Sequence, residues 1–200
     1  MTTIAWPTLA RTAPGEAEWR LKSNTIAFPS PLSGATQTGE FPGARWEVDF
    51  TMKDLNEDDS GELGAFGAKL RGRAGRFTLH NFARPTPRGT IAGTPLVKGA
   101  GQSGNTLGID GCTPGTTLLP GDFIGVGNEL KMVVEPATAD GLGEMALIIE
   151  PPWRASPADN AVIVTNKPTA TFRLSDDTFA MLTRAPMFST IPVSAVECWT

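Results

Sequence analysis

The stretch FIGVGNELKMVVEPATADGLGEMALII, residues 123–149, decides the predicted fold of this chain. Three short apolar runs alternate there with two turn sequences, Gly127-Asn128 and Ala139-Asp140-Gly141. Apolar runs of this length between tight turns are typical of neighbouring antiparallel strands. Pro151-Pro152 follows, and prolines lack the amide that a strand ladder needs. The stretch therefore predicts a small antiparallel sheet or barrel that ends near residue 151.

The composition of the whole chain also indicates a β-rich protein. Glycine (22 residues) and proline (17 residues) are frequent in a chain of 200 residues. Each of them inside a helix costs about 1 to 3 kcal/mol, so a mostly helical protein is excluded. Wholesale disorder is excluded because the chain is 40% hydrophobic and 19% charged. Since no apolar run approaches the roughly 18 residues of a membrane span and the start, MTTIAWP, does not resemble a signal peptide, we expect a soluble protein with no membrane partner.

Strand patterns also occur on both sides of this stretch. Trp46, Val48 and Phe50 alternate with charged residues and therefore share one face of a predicted strand. Residues 18–22 show the same alternation, whereas Phe28–Gly34 contains two prolines and predicts an extended or loop segment unsuited to a central strand. Further short strands are predicted towards the C-terminus, at residues 161–164, 171–174, 179–182 and 191–199.

One helix is predicted, over residues 54–70. Leu63, Phe66 and Leu70 recur at spacings of three and four, which places them on one helix face. The residues that offer N-cap oxygens or favourable charge at its start are Asp54, Asp58, Asp59 and Ser60. The residues that weaken it are Gly61, Gly64 and Gly67. We therefore expect a short helix held by packing, which ends in the segment 71–76 with a glycine available for a left-handed cap.

These elements predict a mainly β protein of two domains. Residues 1–90 and 152–200 would form a β-rich core domain, an antiparallel sandwich or barrel-like structure with the one short helix. Residues 91–151 would form an inserted small antiparallel β module, because this part begins with glycine-rich stretches and then contains the compact run of strands.

Charge is distributed unevenly along the chain. The net charge is −4, which argues against nucleic-acid or anionic-membrane binding. No Asp or Glu occurs from Leu63 to Ile109, where the basic residues are Lys69, Arg71, Arg73, Arg76, Arg84, Arg88 and Lys98. This basic stretch could meet an oppositely charged surface of a neighbouring copy, or it could consist of ordinary solvated side chains. Direct DNA binding is disfavoured because no recognition module accompanies the charge.

Two sequence motifs suggest ligands but lack essential parts, so we predict no cofactor and no metal. Gly99–Gly104 has the letters of a dinucleotide fingerprint, but the residues after it cannot hold the helix that binds the pyrophosphate. The same segment lacks the lysine of a phosphate loop, because Asn105 stands in its place. Asp54–Asp59 begins like a calcium loop, but Asp59 and Ala65 replace the required glycine and glutamate.

Support for catalysis is equally weak, and we predict that the chain is not an enzyme and has no catalytic residues. His80 is the only histidine, so any histidine-dependent mechanism would have to use it. Cys112 has no evident base near it in sequence, and Cys112 and Cys198 are predicted to be free thiols. The tryptophans could line a sugar site or belong to the core or to subunit contacts; they are Trp6, Trp19, Trp46, Trp153 and Trp199.

Several segments, spread over about residues 28–175, follow one another in an order that is similar to that of a known protein family. They are residues 30–37, 42–47, 70–77, 97–104, 119–124, 149–154 and 171–174. This order resembles the distal tail or minor tail proteins found at the tail tip of long-tailed bacteriophages. In such proteins a small β-barrel module, often OB-like, is carried on the ring, and residues 91–151 look similar to that module.

The resemblance implies a structural virion protein without catalytic residues. Its partners would be other copies of itself in a ring, commonly a hexamer, together with the tail tube protein, the baseplate hub and the tail fibre proteins. It would be made and assembled in the host cytoplasm and then reside at the phage tail tip. A ring subunit needs complementary surfaces that close by rotation, and it needs no cofactor.

Two other functions compete with this one. A receptor- or carbohydrate-binding module of the tail tip would use exposed tryptophans against the host surface. A cell-wall hydrolase is the third possibility, and its histidine-dependent version would require His80.

Overall fold

The computed structural model describes residues 3–184 and 188–199. Strands account for 46% of the structure and helices for 9%. The predicted mainly β fold class is confirmed, with one α-helix in the described ranges and a nearly closed, barrel-like sheet of six antiparallel strands.

The strands, in chain order, are β1 Thr3–Ala5, β2 Glu16–Lys22, β3 Thr25–Pro29, β4 Thr36–Glu40, β5 Arg45–Leu55, β6 Arg76–His80, β7 Gly93–Val97, β8 Thr106–Cys112, β9 Thr117–Leu118, β10 Phe123–Val126, β11 Glu129–Val133, β12 Ala137–Thr138, β13 Met145–Glu150, β14 Ile163–Val164, β15 Thr169–Leu174, β16 Leu182–Arg184 and β17 Phe188–Glu197. The helix α1 spans Glu57–Leu70, and a short 3-10 turn follows at Gly72–Ala74.

A seven-stranded sheet forms the first layer. Its order is β1-β6-β15-β17-β5-β2, and β16 also pairs with β17. The central strand β5 buries Trp46, Val48 and Phe50 on one face, as its alternating sequence predicts. The predicted strand at 179–182 is wrong for most of its length, because regular pairing begins only at Leu182.

The helix α1 packs its apolar face on this sheet. Leu63, Phe66 and Leu70 are all buried. The predicted N-cap residues are wrong: the helix starts at Glu57, and the side-chain oxygen of Asn56 accepts the amide of Asp59 at 2.8 Å. Asparagine is as good a cap as aspartate because its carbonyl oxygen reaches the same free amide. Three acidic residues do occupy the first turn, where the helix dipole favours negative charge; they are Glu57, Asp58 and Asp59.

The left-handed residue that ends α1 is Arg71, with φ 51°, and Gly72 follows it with φ +66°. The amide of Arg71 donates to the carbonyl of Ala68, which closes the last turn. The helix does end in the segment 71–76, as predicted, but the left-handed cap is Arg71, and the glycine is the second left-handed residue.

The six-stranded sheet contains the stretch that opened the sequence analysis. Its order is β14-β10-β11-β13-β8-β7, and all its pairs are antiparallel. The predicted turn at Gly127-Asn128 is confirmed, because Val126 pairs with Glu129 across it. A bridge between Leu96 and Val162 brings the two edges together and nearly closes the sheet. The sheet also includes β14, which lies beyond residue 151. The domain boundaries given in the sequence analysis stay a prediction.

Among the residues that the structure describes, the strands β3 and β4 pair only with each other, and we call residues 25–40 the hairpin arm. This arm joins β2 to β5 and contains the proline-bearing segment that was predicted to be unsuited to a central strand. Every residue of β3 is exposed, so neither large sheet covers this strand within the described ranges.

The two large sheets share a core contact. Phe123 of the six-stranded sheet packs on Trp46 of the seven-stranded sheet, with ring centroids 5.4 Å apart. The indole nitrogen of Trp46 donates to the carbonyl oxygen of Leu130 at 3.0 Å. One tryptophan therefore supplies both apolar contact and a buried hydrogen bond between the sheets, which explains why a polar-tipped aromatic is placed there.

Candidate functional site: a groove at the junction of the two sheets

A groove of about 830 Å³ opens where the base of the hairpin arm meets the six-stranded sheet, and we call it the junction groove. Its lining comes from four parts of the chain and comprises Glu40, Phe41, Pro42, Gly43, Ala44, Gly104, Asn105, Glu150, Pro152, Trp153, Arg154 and Trp199. This volume lies within the range of small-molecule sites, which combine apolar walls with a few polar groups.

Asn24 fixes the groove wall that directly follows the hairpin arm in the chain. The carbonyl of Asn24 accepts the amide of Phe41 at 2.8 Å, and its side-chain amide donates to the carbonyl of Pro42 at 2.8 Å. These two bonds set the position of the Phe41 backbone in the groove wall, and Phe41 is 46% exposed.

Trp153 is supported by a buried cation. The ammonium of Lys131 lies 4.7 Å from the centroid of the Trp153 ring. Lys131 is fully buried, and its ammonium pairs with Glu129 at 2.6 Å and donates to the carbonyl of Pro152 at 2.9 Å. Burial lowers the pKa of Lys131, and the bond to Glu129 opposes that shift. The indole nitrogen of Trp153 donates to the carbonyl of Thr106 at 3.3 Å, so the ring is held on both an edge and a face.

Trp199 is supported in the same way by a second buried pair. The guanidinium of Arg154 lies 4.0 Å from the Trp199 ring centroid. Arg154 binds Glu197 at 2.6 Å, and their side chains are only 13% and 1% exposed. The carboxylate of Glu197 also accepts the amide of Trp46 at 2.9 Å, which ties the pair to the strand β5.

The groove also contains two acidic side chains. Burial raises the pKa of Glu150, and the negative charge of Glu40 raises it further. Lys131 and a hydrogen bond from Asn105 act in the opposite direction. A carboxyl group with a perturbed pKa inside a cleft is a common feature of functional sites. The groove can thus offer aromatic faces together with carboxyl and amide groups.

His80 lies apart from this groove. It is half-buried in β6 and lines a smaller cavity of about 390 Å³ with Trp6 and Lys167. Burial lowers the pKa of His80, and the charge of Lys167 lowers it further. No carboxylate is among the lining residues of this cavity in the described part of the chain. That the chain is not an enzyme stays a prediction.

The two cysteines are free. Cys112 is buried and Cys198 is half-buried. Burial is the main cause that raises the pKa of both thiols, and Asp110 adds to the shift of Cys112. Both side chains are therefore neutral thiols at neutral pH, the less reactive form.

The glycine-rich segment 99–104 forms the connection between β7 and β8, as expected for a hairpin loop. The side chain of Gln102 closes it by donating to the carbonyl of Lys98 at 2.8 Å and accepting the amide of Gly108 at 2.6 Å. The segment 54–59 forms the end of β5 and the start of α1. Within residues 3–184 and 188–199 no three His, Cys, Asp or Glu side chains are grouped to hold a metal ion.

The basic stretch 63–109 is partly neutralised by its own chain. Arg73, Arg88 and Lys98 form ion pairs with carboxylates, and their partners are Asp176, Asp122 and Glu144. Arg76 instead donates to the carbonyl oxygens of residues 73–75. Both interpretations of the stretch, as ordinary solvated side chains and as a contact with another copy, stay predictions.

Sequence analysis missed most of the junction groove. It singled out Trp153 and Trp199, but without reason to separate them from the other tryptophans, Trp6, Trp19 and Trp46. Those three pack in or against the apolar core between the seven-stranded sheet and α1. The lining residues come from segments far apart in sequence, so no local spacing connects them. The short run Glu150–Arg154, at the end of a predicted strand, was the one sequence signal for the groove. It places charged and aromatic residues beside two prolines.

Comparison with known proteins does not assign the chain to a family. No protein-family model matches it, and no curated protein matches it either. None of the helices in the described ranges has the length and apolar character to cross a membrane.

Proposed function

We propose that this chain is a structural protein of a phage tail tip, which forms a ring that joins the tail tube to the baseplate hub and the host-attachment fibres. The order of sequence segments described above supports the proposal, and the mainly β fold with a small barrel-like sheet is compatible with it. The single observation that carries the proposal is the uncharged hairpin arm with its exposed apolar side chains.

The hairpin arm has the character of a surface that is covered in an assembly. No charged residue occurs between Lys22 and Glu40. Phe28 is 57% exposed and Leu32 is 98% exposed, and Ile26 is also exposed. Soluble surfaces seldom combine an uncharged run of this length with several exposed large apolar side chains.

The arm is also weak as an isolated element. A two-stranded hairpin is marginally stable in water unless a further surface packs against it. A neighbouring copy that receives the arm would supply that surface. Because the donor and acceptor surfaces would differ, the contact is head-to-tail and closes into a ring when the rotation between copies allows it.

The mass of the purified protein in solution tests this proposal. We expect the wild-type chain to run as a ring-sized oligomer in size-exclusion chromatography with light scattering. The variant Ile26→Ser/Phe28→Ser should run as a monomer with an unchanged circular dichroism spectrum, because it removes the apolar contact without touching either core.

Leu142→Ser is the matched control, because Leu142 is an exposed apolar residue (82%) in the turn before β13, outside the arm. It should leave the oligomer intact. A wild-type protein that is strictly monomeric, and that is absent from purified virions, would contradict the proposal.

A second function has its own observation in its favour. The junction groove combines two supported tryptophans with acidic and amide side chains, which suits a receptor- or carbohydrate-binding module of the tail tip.

A further inference from the structure

We propose that the junction groove binds an uncharged saccharide chain, with Trp153 and Trp199 as stacking surfaces and Glu40, Asn105 and Glu150 as hydrogen-bonding partners. This inference deepens the second function proposed above and rests on it. It is independent of whether the chain forms a ring.

The two tryptophans are held in a way that packing alone does not require. Each indole has a cation against one face: Lys131 for Trp153 and Arg154 for Trp199. Both cations are in turn neutralised by a glutamate of the same chain. Placing paired charges inside a protein costs desolvation energy, and an apolar side chain could fill the same volume at lower cost.

Both indole rings contribute surface to the groove that a ligand can reach, and Trp199 is 49% exposed. An immobilised aromatic ring loses little conformational freedom on binding, which is why such rings carry much of the affinity of recognition sites. The C–H face of a pyranose ring is apolar and flat, and it stacks on an indole face.

The polar lining points to hydroxyl groups. Carboxylates accept hydrogen bonds through two oxygens each, and the amide of Asn105 both donates and accepts. Vicinal sugar hydroxyls match these planar groups. Sites built to hydrogen-bond hydroxyls reject ligands that lack them, because their polar groups would otherwise be left unpaired.

The charge of the groove selects among saccharides. Glu40 and Glu150 belong to no ion pair within the described residues, while Arg154 is already neutralised by Glu197. The free charge in the groove is therefore negative and disfavours acidic sugars. A proline-rich peptide also docks on aromatic grooves, but it offers few donors for two carboxyl groups and an amide, so the saccharide is favoured.

Calorimetry on the wild-type protein with five probes tests the inference. The neutral probes are the β-1,4-linked N-acetylglucosamine tetramer, cellotetraose and maltotetraose; the others are a trigalacturonate and a proline-rich decapeptide. We expect at least one of the three neutral oligosaccharides to bind. The trigalacturonate and the proline-rich decapeptide should not bind. Trp199→Ala should weaken that binding about tenfold or more.

Phe188→Ala is the matched control for the tryptophan, because Phe188 is also aromatic and 49% exposed but lies outside the groove. It should leave affinity unchanged. Glu150→Gln keeps a planar hydrogen-bonding group and should retain binding, whereas Glu150→Leu should lose it about tenfold.

Three results would overturn the inference: no binding of any neutral probe, equal binding by the wild type and Trp199→Ala, or binding of the peptide alone. Light scattering on the same samples separates this outcome from a failure of the ring proposal. A protein that forms rings without binding sugar would refute only the groove, and a monomer that binds sugar would refute only the ring.

Discussion

His80 shows how a residue's surroundings decide its chemistry. It is the one histidine of the chain, and in sequence it was the sole candidate for histidine-dependent catalysis. In the fold it is half-buried beside Phe82, with ring centroids 5.1 Å apart, and near the charge of Lys167. Burial first and Lys167 second lower its pKa, so the neutral form dominates at neutral pH.

This shift predicts how stability depends on pH. Because the pKa of His80 is lower in the folded than in the unfolded chain, the unfolded state binds more protons as the pH falls. The free energy of unfolding should therefore decrease as the pH falls from about 6.5 through the lower folded pKa, and this contribution should level off below it. Urea unfolding of the wild type and of His80→Gln checks it, since only the wild type should show this component.

A proton NMR titration of the single histidine ring measures the shift itself. Lys167→Met should raise the pKa of His80 towards its ordinary value, because it removes the nearby positive charge. Lys69→Met removes an exposed charge on α1, away from the His80 cavity, and should not change it. A wild-type pKa at or above the ordinary value would contradict the prediction.

At the scale of elements, α1 shows why a helix keeps residues that weaken it. An added Cβ at Gly67 would lie 2.3 Å from the ring of Phe179, and at Gly64 it would lie 2.6 Å from the sulfur of Met181. The segment that was predicted to be a strand thus lies against the helix instead. Glycine allows that close approach and loses helix propensity in exchange.

A pair of helix substitutions tests this reason. No atom of the described residues lies within 4 Å of a Cβ added at Gly61, so Gly61→Ala should raise the free energy of unfolding by about 0.5 to 1 kcal/mol. Gly67→Ala should lower it by about 1 to 3 kcal/mol, because Phe179 must move. Urea denaturation measures both. Equal effects of the two substitutions would show that helix propensity alone, and not the contact with Phe179, determines the change in the free energy of unfolding.

For the whole molecule, the connection between the two sheets is partly ionic. Arg154 lies between β13 and β14 of the six-stranded sheet in the chain, and Glu197 ends β17 of the seven-stranded sheet. Their pair is nearly buried and lies next to the contact of Trp46 with Phe123. This core contact and this ion pair thus help to set the geometry of the junction groove.

Breaking this pair should be costly. Glu197→Leu leaves the Arg154 charge buried without its partner, and we expect it to lower the free energy of unfolding by about 3 kcal/mol or more. Arg154→Met/Glu197→Leu should recover at least half of that loss, because no buried charge remains. Urea denaturation with tryptophan fluorescence measures both changes.

The exposed pair of Arg20 and Asp49 is the matched control, with side chains 45% and 38% exposed. Asp49→Asn should lower the free energy of unfolding far less than Glu197→Leu does, because solvent screens the exposed pair. A loss of similar size at both places would mean that Arg154 is hydrated in solution and that its pair with Glu197 does not help to join the sheets.

By itself, the sequence determined the β-rich class, the antiparallel run at 123–149 and the inward face of β5, because each follows from local apolar spacing and turn residues. It also placed the helix to within a few residues. Only the tertiary structure decided which strands are neighbours, that the arm stands apart, and that Trp153 and Trp199 share a groove with Glu40 and Glu150. These features depend on contacts between distant segments, and burial, cation stacking and pKa shifts arise only when such contacts form.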